Sequence, residues 1–224
     1  MRRSRRRATR PLSPSQGAVT LTRVTSEGVT AMKVLVAYAS RHGATRGIAE
    51  RIAQTLQGDG LDVTVQPAQA SAHVAEYDCV LVGAAAYAGH WLKEASGFVR
   101  KHRSELEHQP VWLFSSGPIG TDKVDAKGRD VLKASEPGEF AEFERAIHPR
   151  DERVFFGAYD PDAKPIGFME KLGAPFMRMS TIHDAIPAGD FRDWPEIVAW
   201  AHGIARSLEP GRLAGDVKDR VDVL

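Results

Sequence analysis

The stretch "MKVLVAYASRHGATRGIAERIA" (Met32–Ala53) decides how the rest of the chain is read. "KVLVAYA" is a near-continuous apolar run of strand length, the pattern of a parallel strand buried on both faces. After it, Ile48, Ile52 and Leu56 recur at four-residue spacing with Ala49 and Ala53 beside them. That is one face of a helix, which ends at Gly58-Asp59-Gly60. Between strand and helix lies a short polar loop, Ser40-Arg41-His42-Gly43-Ala44-Thr45.

The same alternation continues downstream. "LDVTVQ" alternates Leu61, Val63 and Val65 with polar residues, as an edge strand does, and "CVLVGAA" is a third, buried strand. A helix is expected from Trp91 to about Arg103, with Leu92, Ala95 and Val99 on one face. "PVWLFSSG" is the fourth strand, Glu139 to Ile147 the next helix, and "RVFFGAY" the fifth strand. In the last helix Asp193 caps the start and Glu196 completes a capping box. Strands and helices alternating at this spacing imply an α/β fold: a doubly wound, five-stranded parallel sheet with helices on both faces. A short, edge-like second strand gives the order 2-1-3-4-5.

Residues 1–31 differ in kind from the rest of the chain. They hold seven Arg and one Glu, a net +6, so a chain of net charge +1 leaves −5 for residues 32–224. With no apolar face to offset the entropy of ordering, residues 1–31 read as a disordered basic extension, or as sequence upstream of a start at Met32. An Arg- and Ser-rich organellar transit peptide is the alternative; a secretory signal is excluded because no apolar run comes after the basic start. Residues 32–208 are the expected folded domain and 209–224 a flexible tail. The mildly acidic domain argues against a nucleic-acid partner. No apolar run reaches the roughly 20 residues that a membrane-spanning helix needs. One cysteine, Cys79, and no Cys/His cluster at zinc spacing argue for a reducing, cytoplasmic setting and against a disulfide framework or structural zinc.

In a doubly wound sheet the ligand binds at the carboxyl ends of the strands, where the strand order switches. Those ends are three loops: Ser40–Thr45, Gly83–His90 and Ser115–Gly120. The first offers hydroxyls at Ser40 and Thr45, close backbone approach at Gly43 and the amides of a helix N-terminus, the parts of a phosphate cradle. Arg41 adds charge; an ordinary capped turn is the plain alternative. Neither GxGxxG nor GxxxxGK[ST] is present, which points to a mononucleotide phosphate rather than NAD or ATP. In the second loop the small residues Gly83 to Ala86 leave room for a flat ligand, and Tyr87 or Trp91 could stack on a ring system. His90 could donate a hydrogen bond, whereas helix packing is the alternative for Trp91. In the third, Ser115, Ser116, Gly117 and Pro118 can present backbone groups to a heterocycle's polar edge.

These residues resemble the flavodoxin-like superfamily, whose first loop is typically a [ST]-x-T-G-x-T cradle for the phosphate of FMN. Ser40-Arg41-His42-Gly43-Ala44-Thr45 is similar, with His42 standing where a hydroxyl residue is common. Within the superfamily the chain is similar to the menaquinone-dependent protoporphyrinogen oxidases of haem biosynthesis. Three segments carry that similarity: "VGAAAYAGHW", the long segment Gly117–Pro137, and "DWPEIVAWAHGIA". The resemblance implies FMN as cofactor, with Ser40, Gly43, Ala44 and Thr45 as the transferable positions; the loop reading adds Arg41, His42, Ala85, Ala86, Tyr87, Ala88, Gly89, His90, Trp91, Ser115, Ser116, Gly117 and Pro118 to the expected FMN site. The resemblance also implies an oxidoreductase acting on a small molecule, a porphyrinogen, with a quinone as oxidant, in the cytoplasm and at most peripheral at the inner face of the membrane. His90 and Tyr87 are the side chains expected to handle protons. The amphipathic stretch Lys164–Met179 is a candidate lid or membrane-surface segment. An electron-carrying flavodoxin, an NAD(P)H-dependent quinone reductase and a binding module without flavin are the competing functions.

Overall fold

A computed structural model of the chain describes residues 31–71, 73–160 and 188–209. The strands are β1 (Lys33–Ala39), β2 (Asp62–Pro67), β3 (Cys79–Tyr87), β4 (His90–Trp91), β5 (Val111–Ser116), β6 (Asp151–Phe155), β7 (Ala158–Tyr159) and β8 (Gly189–Asp190). The helices are α1 (Ala44–Gly58), α2 (Lys93–Lys101), α3 (Arg103–Leu106), α4 (Val131–Ala134), α5 (Glu139–Ile147) and α6 (Trp194–Ser207). The main sheet is parallel in the order β2-β1-β3-β5-β6, with β4 paired antiparallel to the end of β3. Counting the five parallel strands alone, this is the expected 2-1-3-4-5.

Alternation along each strand sorts the core into two layers. Leu35, Ala37, Val80, Val82, Val111 and Leu113 face α2, α3 and α5, where Phe98, Leu106, Phe140 and Phe143 are buried. Val34, Val36, Cys79, Leu81, Trp112 and Phe114 face α1 and α6, where Ile48, Ile52, Leu56, Ile197, Ala201 and Ile204 are buried. Ile48, Ile52 and Leu56 are fully buried, each stabilising the fold by about 1.5–3 kcal/mol, so tertiary packing of this face holds α1 in place. The Asp193 carboxylate accepts from the Glu196 amide at 3.0 Å and starts α6 where the capping pattern sets it. Cys79 is buried in β3, where burial and, next, Asp78 push its thiol up to about 12, so it supplies no reactive thiolate.

Two element boundaries differ from the sequence expectation. Trp91 is not the first residue of a helix, because the chain reverses at Ala88 (φ 50°) and Gly89 (φ 78°). Two successive left-handed residues make a turn that matches strand twist. Trp91 therefore pairs with Ala86 across a hairpin, and the helix is displaced to α2 and α3. "RVFFGAY" is likewise two strands. β6 ends at Phe155, and β7 pairs antiparallel with β8 in a separate ribbon. The expectations for residues 1–30, for Lys164–Met179 and for residues 210–224 lie outside the described residues.

Candidate functional site

The strand order reverses between β1 and β3, so the loops after β1, β3 and β5 open at one end of the sheet. In the first, the Ser40 hydroxyl accepts from the Gly43 amide at 3.1 Å and closes the turn. Gly43 takes φ 88°, and a Cβ there would meet nothing within 4 Å, so the backbone faces open space. Helix α1 has no side-chain cap and no acid in its first turn. Its first-turn amides, in a helix of 15 residues, are thus left to bind an anion.

Pairwise contacts join the three loops. Thr45 Oγ1 and Ser116 Oγ form a buried hydrogen bond of 2.8 Å between the first loop and the third. The Arg41 guanidinium lies over the Tyr87 ring at 5.7 Å, between the first and the second. Ala85 stands beside Ser116 in the sheet register, and a Cβ on Gly117 would lie 3.5 Å from that of Ala86, between the second and the third. Ala44 carries the start of α1, while His42 and Tyr87 are exposed. Gly117 donates to the Phe155 carbonyl at 3.3 Å, and the Pro118 carbonyl accepts from Gly157 at 2.9 Å.

Some predicted residues sit away from this opening. Trp91 is buried, edge-on to Phe140 at 5.3 Å and tilted against Phe143 at 5.8 Å. Ser115 is fully buried, its hydroxyl donating to the Ala84 carbonyl at 3.4 Å. The small residue at Gly83 makes room for the Phe114 ring, which a Cβ would overlap, rather than for a ligand. A cleft of about 420 Å3 lined by Trp112, Arg153 and Trp200 runs between β6 and α6; none of its lining residues belongs to the three loops.

Three further residues escaped the sequence reading. Glu139 opens α5, and its carboxylate spans the second loop: Oε2 accepts from the Trp91 amide at 3.1 Å, and Oε1 lies 3.4 Å from His90 Nδ1. Gly138 donates to the Gly89 carbonyl at 2.9 Å, fixing the same turn from the backbone. Arg192 grips Asp190 with two bonds of 2.7 Å, donates to the Ala44 carbonyl at 3.2 Å and stacks on Trp194 at 4.3 Å. Hydrogen bonds from Arg192 hold the Asp190 carboxyl below its usual range. These pairs span 48 and 148 residues, and no local spacing links their members.

A family profile described as a flavodoxin domain matches residues 35–173, more than half the chain and all three loops. The chain belongs to the flavodoxin-domain family. FMN is the cofactor of this domain, and the uncapped α1 with an open Gly43 fits its phosphate. The domain is 33% identical over 190 residues to the protoporphyrinogen IX dehydrogenase [quinone] of Escherichia coli K12, covering 78% of this chain and 95% of that protein. Among solved structures, an archaeal flavodoxin is similar at TM-score 0.48 and 17% identity, covering 79% of this chain and 98% of that one. The rubredoxin oxygen:oxidoreductase of Desulfovibrio gigas is similar at TM-score 0.48 and 16% identity, covering 81% of this chain and 37% of that one.

Proposed function

We propose that this flavodoxin domain is an FMN-dependent oxidoreductase that oxidises a porphyrinogen and passes the electrons to a quinone. The observation that carries this reading is the placement of apolar surface. Among the described residues the exposed large hydrophobic side chains are Tyr87, Ile119 and Val124, and all three lie on the second loop or on the third and its continuation. Exposed apolar groups on these loops suit an apolar partner, here a flat macrocycle or a quinone ring. A carrier that docks by charge has no need of them. The 33% identity to a protein named for protoporphyrinogen and quinone supports the same reading.

FMN, when bound, supplies the redox chemistry, accepting the substrate's electrons and releasing them to the oxidant. The chain's part is to bind and orient. The first-turn amides of α1 and the Ser40–Gly43 turn hold the phosphate, with Arg41 adding positive charge. Ala85, Ala86 and Gly117, being small, leave the ring system room between the second and third loops, with Tyr87 at its rim. His90 handles the proton. Residues 32–208 form the FMN-binding domain, flanked by a basic arm and a tail, and it works in the cytoplasm with at most peripheral membrane contact. Among the described residues no helix is long and apolar enough to cross a membrane.

The test begins with colour. The purified protein is expected to be yellow with FMN releasable on denaturation; a colourless protein that takes up no added FMN would overturn the reading. Anaerobic addition of protoporphyrinogen should then bleach the flavin, and a quinone should restore it. Flavin that protoporphyrinogen leaves oxidised, but that exchanges single electrons with a protein partner, would make the domain a carrier instead.

A further inference from the structure

We propose that Glu139 is the positioning residue for proton transfer at this site, holding the His90 imidazole by its Nδ1–H so that Nε2 is the open proton acceptor. The inference rests on the oxidoreductase reading above and deepens it.

A carboxylate offers only acceptors, so the imidazole atom that faces Glu139 Oε1 at 3.4 Å is a donor, Nδ1–H. In a neutral ring Nε2 is then the unprotonated nitrogen, since the partner of one nitrogen fixes the state of the other. The carboxylate is well placed for this. Its second oxygen is bound by the Trp91 amide at 3.1 Å, and its side chain is 12% exposed while that of His90 is 74% exposed. The Gly138–Gly89 hydrogen bond of 2.9 Å fixes the turn itself to the start of α5. His90 and Tyr87 are the cross-strand pair that flanks the turn, and both side chains are exposed on the second loop.

The chemistry proposed above needs such an acceptor. Oxidation of a porphyrinogen removes a hydride from a carbon and a proton from a nitrogen. With FMN bound as hydride acceptor, the C–H electron pair would leave with the hydride, the N–H bond would break, and His90 Nε2 would take that proton. The resulting imidazolium keeps Nδ1–H on Glu139 and gives the Nε2 proton to water on its exposed side.

The experiment is 15N NMR of the histidine rings in the FMN-loaded protein, with the rate of anaerobic flavin reduction by protoporphyrinogen measured alongside. Wild type should show His90 as the Nδ1–H tautomer. Glu139→Ala should move it to the Nε2–H form and slow flavin reduction by about 10- to 100-fold, the scale of losing a group that orients a histidine. Glu139→Gln keeps one acceptor oxygen where the carboxylate uses two, for the Trp91 amide and for His90, so it should recover the tautomer and the rate only in part. An Nε2–H tautomer in wild type, which needs no variant to measure, would overturn the proposal. So would a Glu139→Ala protein that binds FMN and reduces it at the wild-type rate. Absence of reduction in wild type would remove the substrate reading and the proton transfer with it, while an Nδ1–H tautomer in that same sample would leave the hold of Glu139 on His90 standing.

Discussion

Thr45 Oγ1 and Ser116 Oγ lie 2.8 Å apart, both buried, and 71 residues apart in the chain. The hydroxyl that ends the phosphate-loop pattern therefore also ties the first loop to the third. Thr45 acts as a joint between the two loops.

Replacing Thr45 with Val leaves the Ser116 hydroxyl buried without its partner, a cost of about 1–3 kcal/mol. Denaturant unfolding should show that loss together with weaker FMN binding. Ser116→Ala should cost less when added to Thr45→Val than alone, because the pair is already broken, with a coupling of about 0.5–3 kcal/mol. Additive losses would show that the two hydroxyls do not interact.

Gly83 gives a sharper steric prediction. A methyl group there would overlap the Phe114 ring, which is fully buried in the β5 strand beside it. Gly83→Ala is expected to destabilise the fold by about 1–3 kcal/mol, the usual cost of overfilling a packed core. Gly83→Ala combined with Phe114→Leu should recover part of it in the denaturation midpoint. An unaltered midpoint for the single variant would refute the overlap.

Arg192 joins Asp190, the Ala44 carbonyl and the Trp194 ring in one cluster. A lysine keeps the charge but not the planar fork or the stacking, so Arg192→Lys should lose about 1 kcal/mol or more of stability, with Arg192→Ala losing more. Faster amide exchange in the first turn of α1 is the local signature to look for. Wild-type stability in Arg192→Lys would show that charge alone matters.

Glu152 predicts a pH dependence. Burial, and after it the carboxylates of Glu144 and Glu136, push its carboxyl up to about 7, against an opposing pull from Lys133. Its Oε1 is buried with no hydrogen-bond partner among the described residues. Below about pH 4.3, the ordinary glutamate value, folded and unfolded chains both carry the proton and the group contributes nothing. Between there and pH 7 the folded chain alone retains the proton, so stability falls as pH rises, and above 7 the whole penalty is present. Glu152→Gln should therefore match wild type near pH 4 and exceed it above about pH 7, by on the order of 1 kcal/mol after solvent screening. Parallel stability curves for the two proteins would contradict this.

Much of the fold was legible because its signals are local. The buried runs of β1, β3 and β5, the four-residue spacing of Ile48, Ile52 and Leu56, and the Asp193–Glu196 cap each lie within a few residues. The switch point followed from the strand order, and with it the three loops that form the candidate site. The helix start at Trp91 was misread because the indole is apolar at a helix-like spacing, while the Ala88-Gly89 turn that places it in a hairpin depends on a left-handed alanine. Alanine carries no sequence signal for that conformation.

The sequence by itself determined the α/β class, the parallel sheet, the phosphate-cradle pattern and the resemblance to flavodoxins, because periodicity and turn chemistry are properties of neighbouring residues. Tertiary structure alone decided that Thr45 meets Ser116, that Gly83 yields its space to Phe114, and that Glu139 reaches back 48 and 49 residues to Trp91 and His90. The physical reason is that these contacts depend on strand register and on where a helix lands on the sheet. Packing of the two core layers sets both, and no spacing along the chain records them.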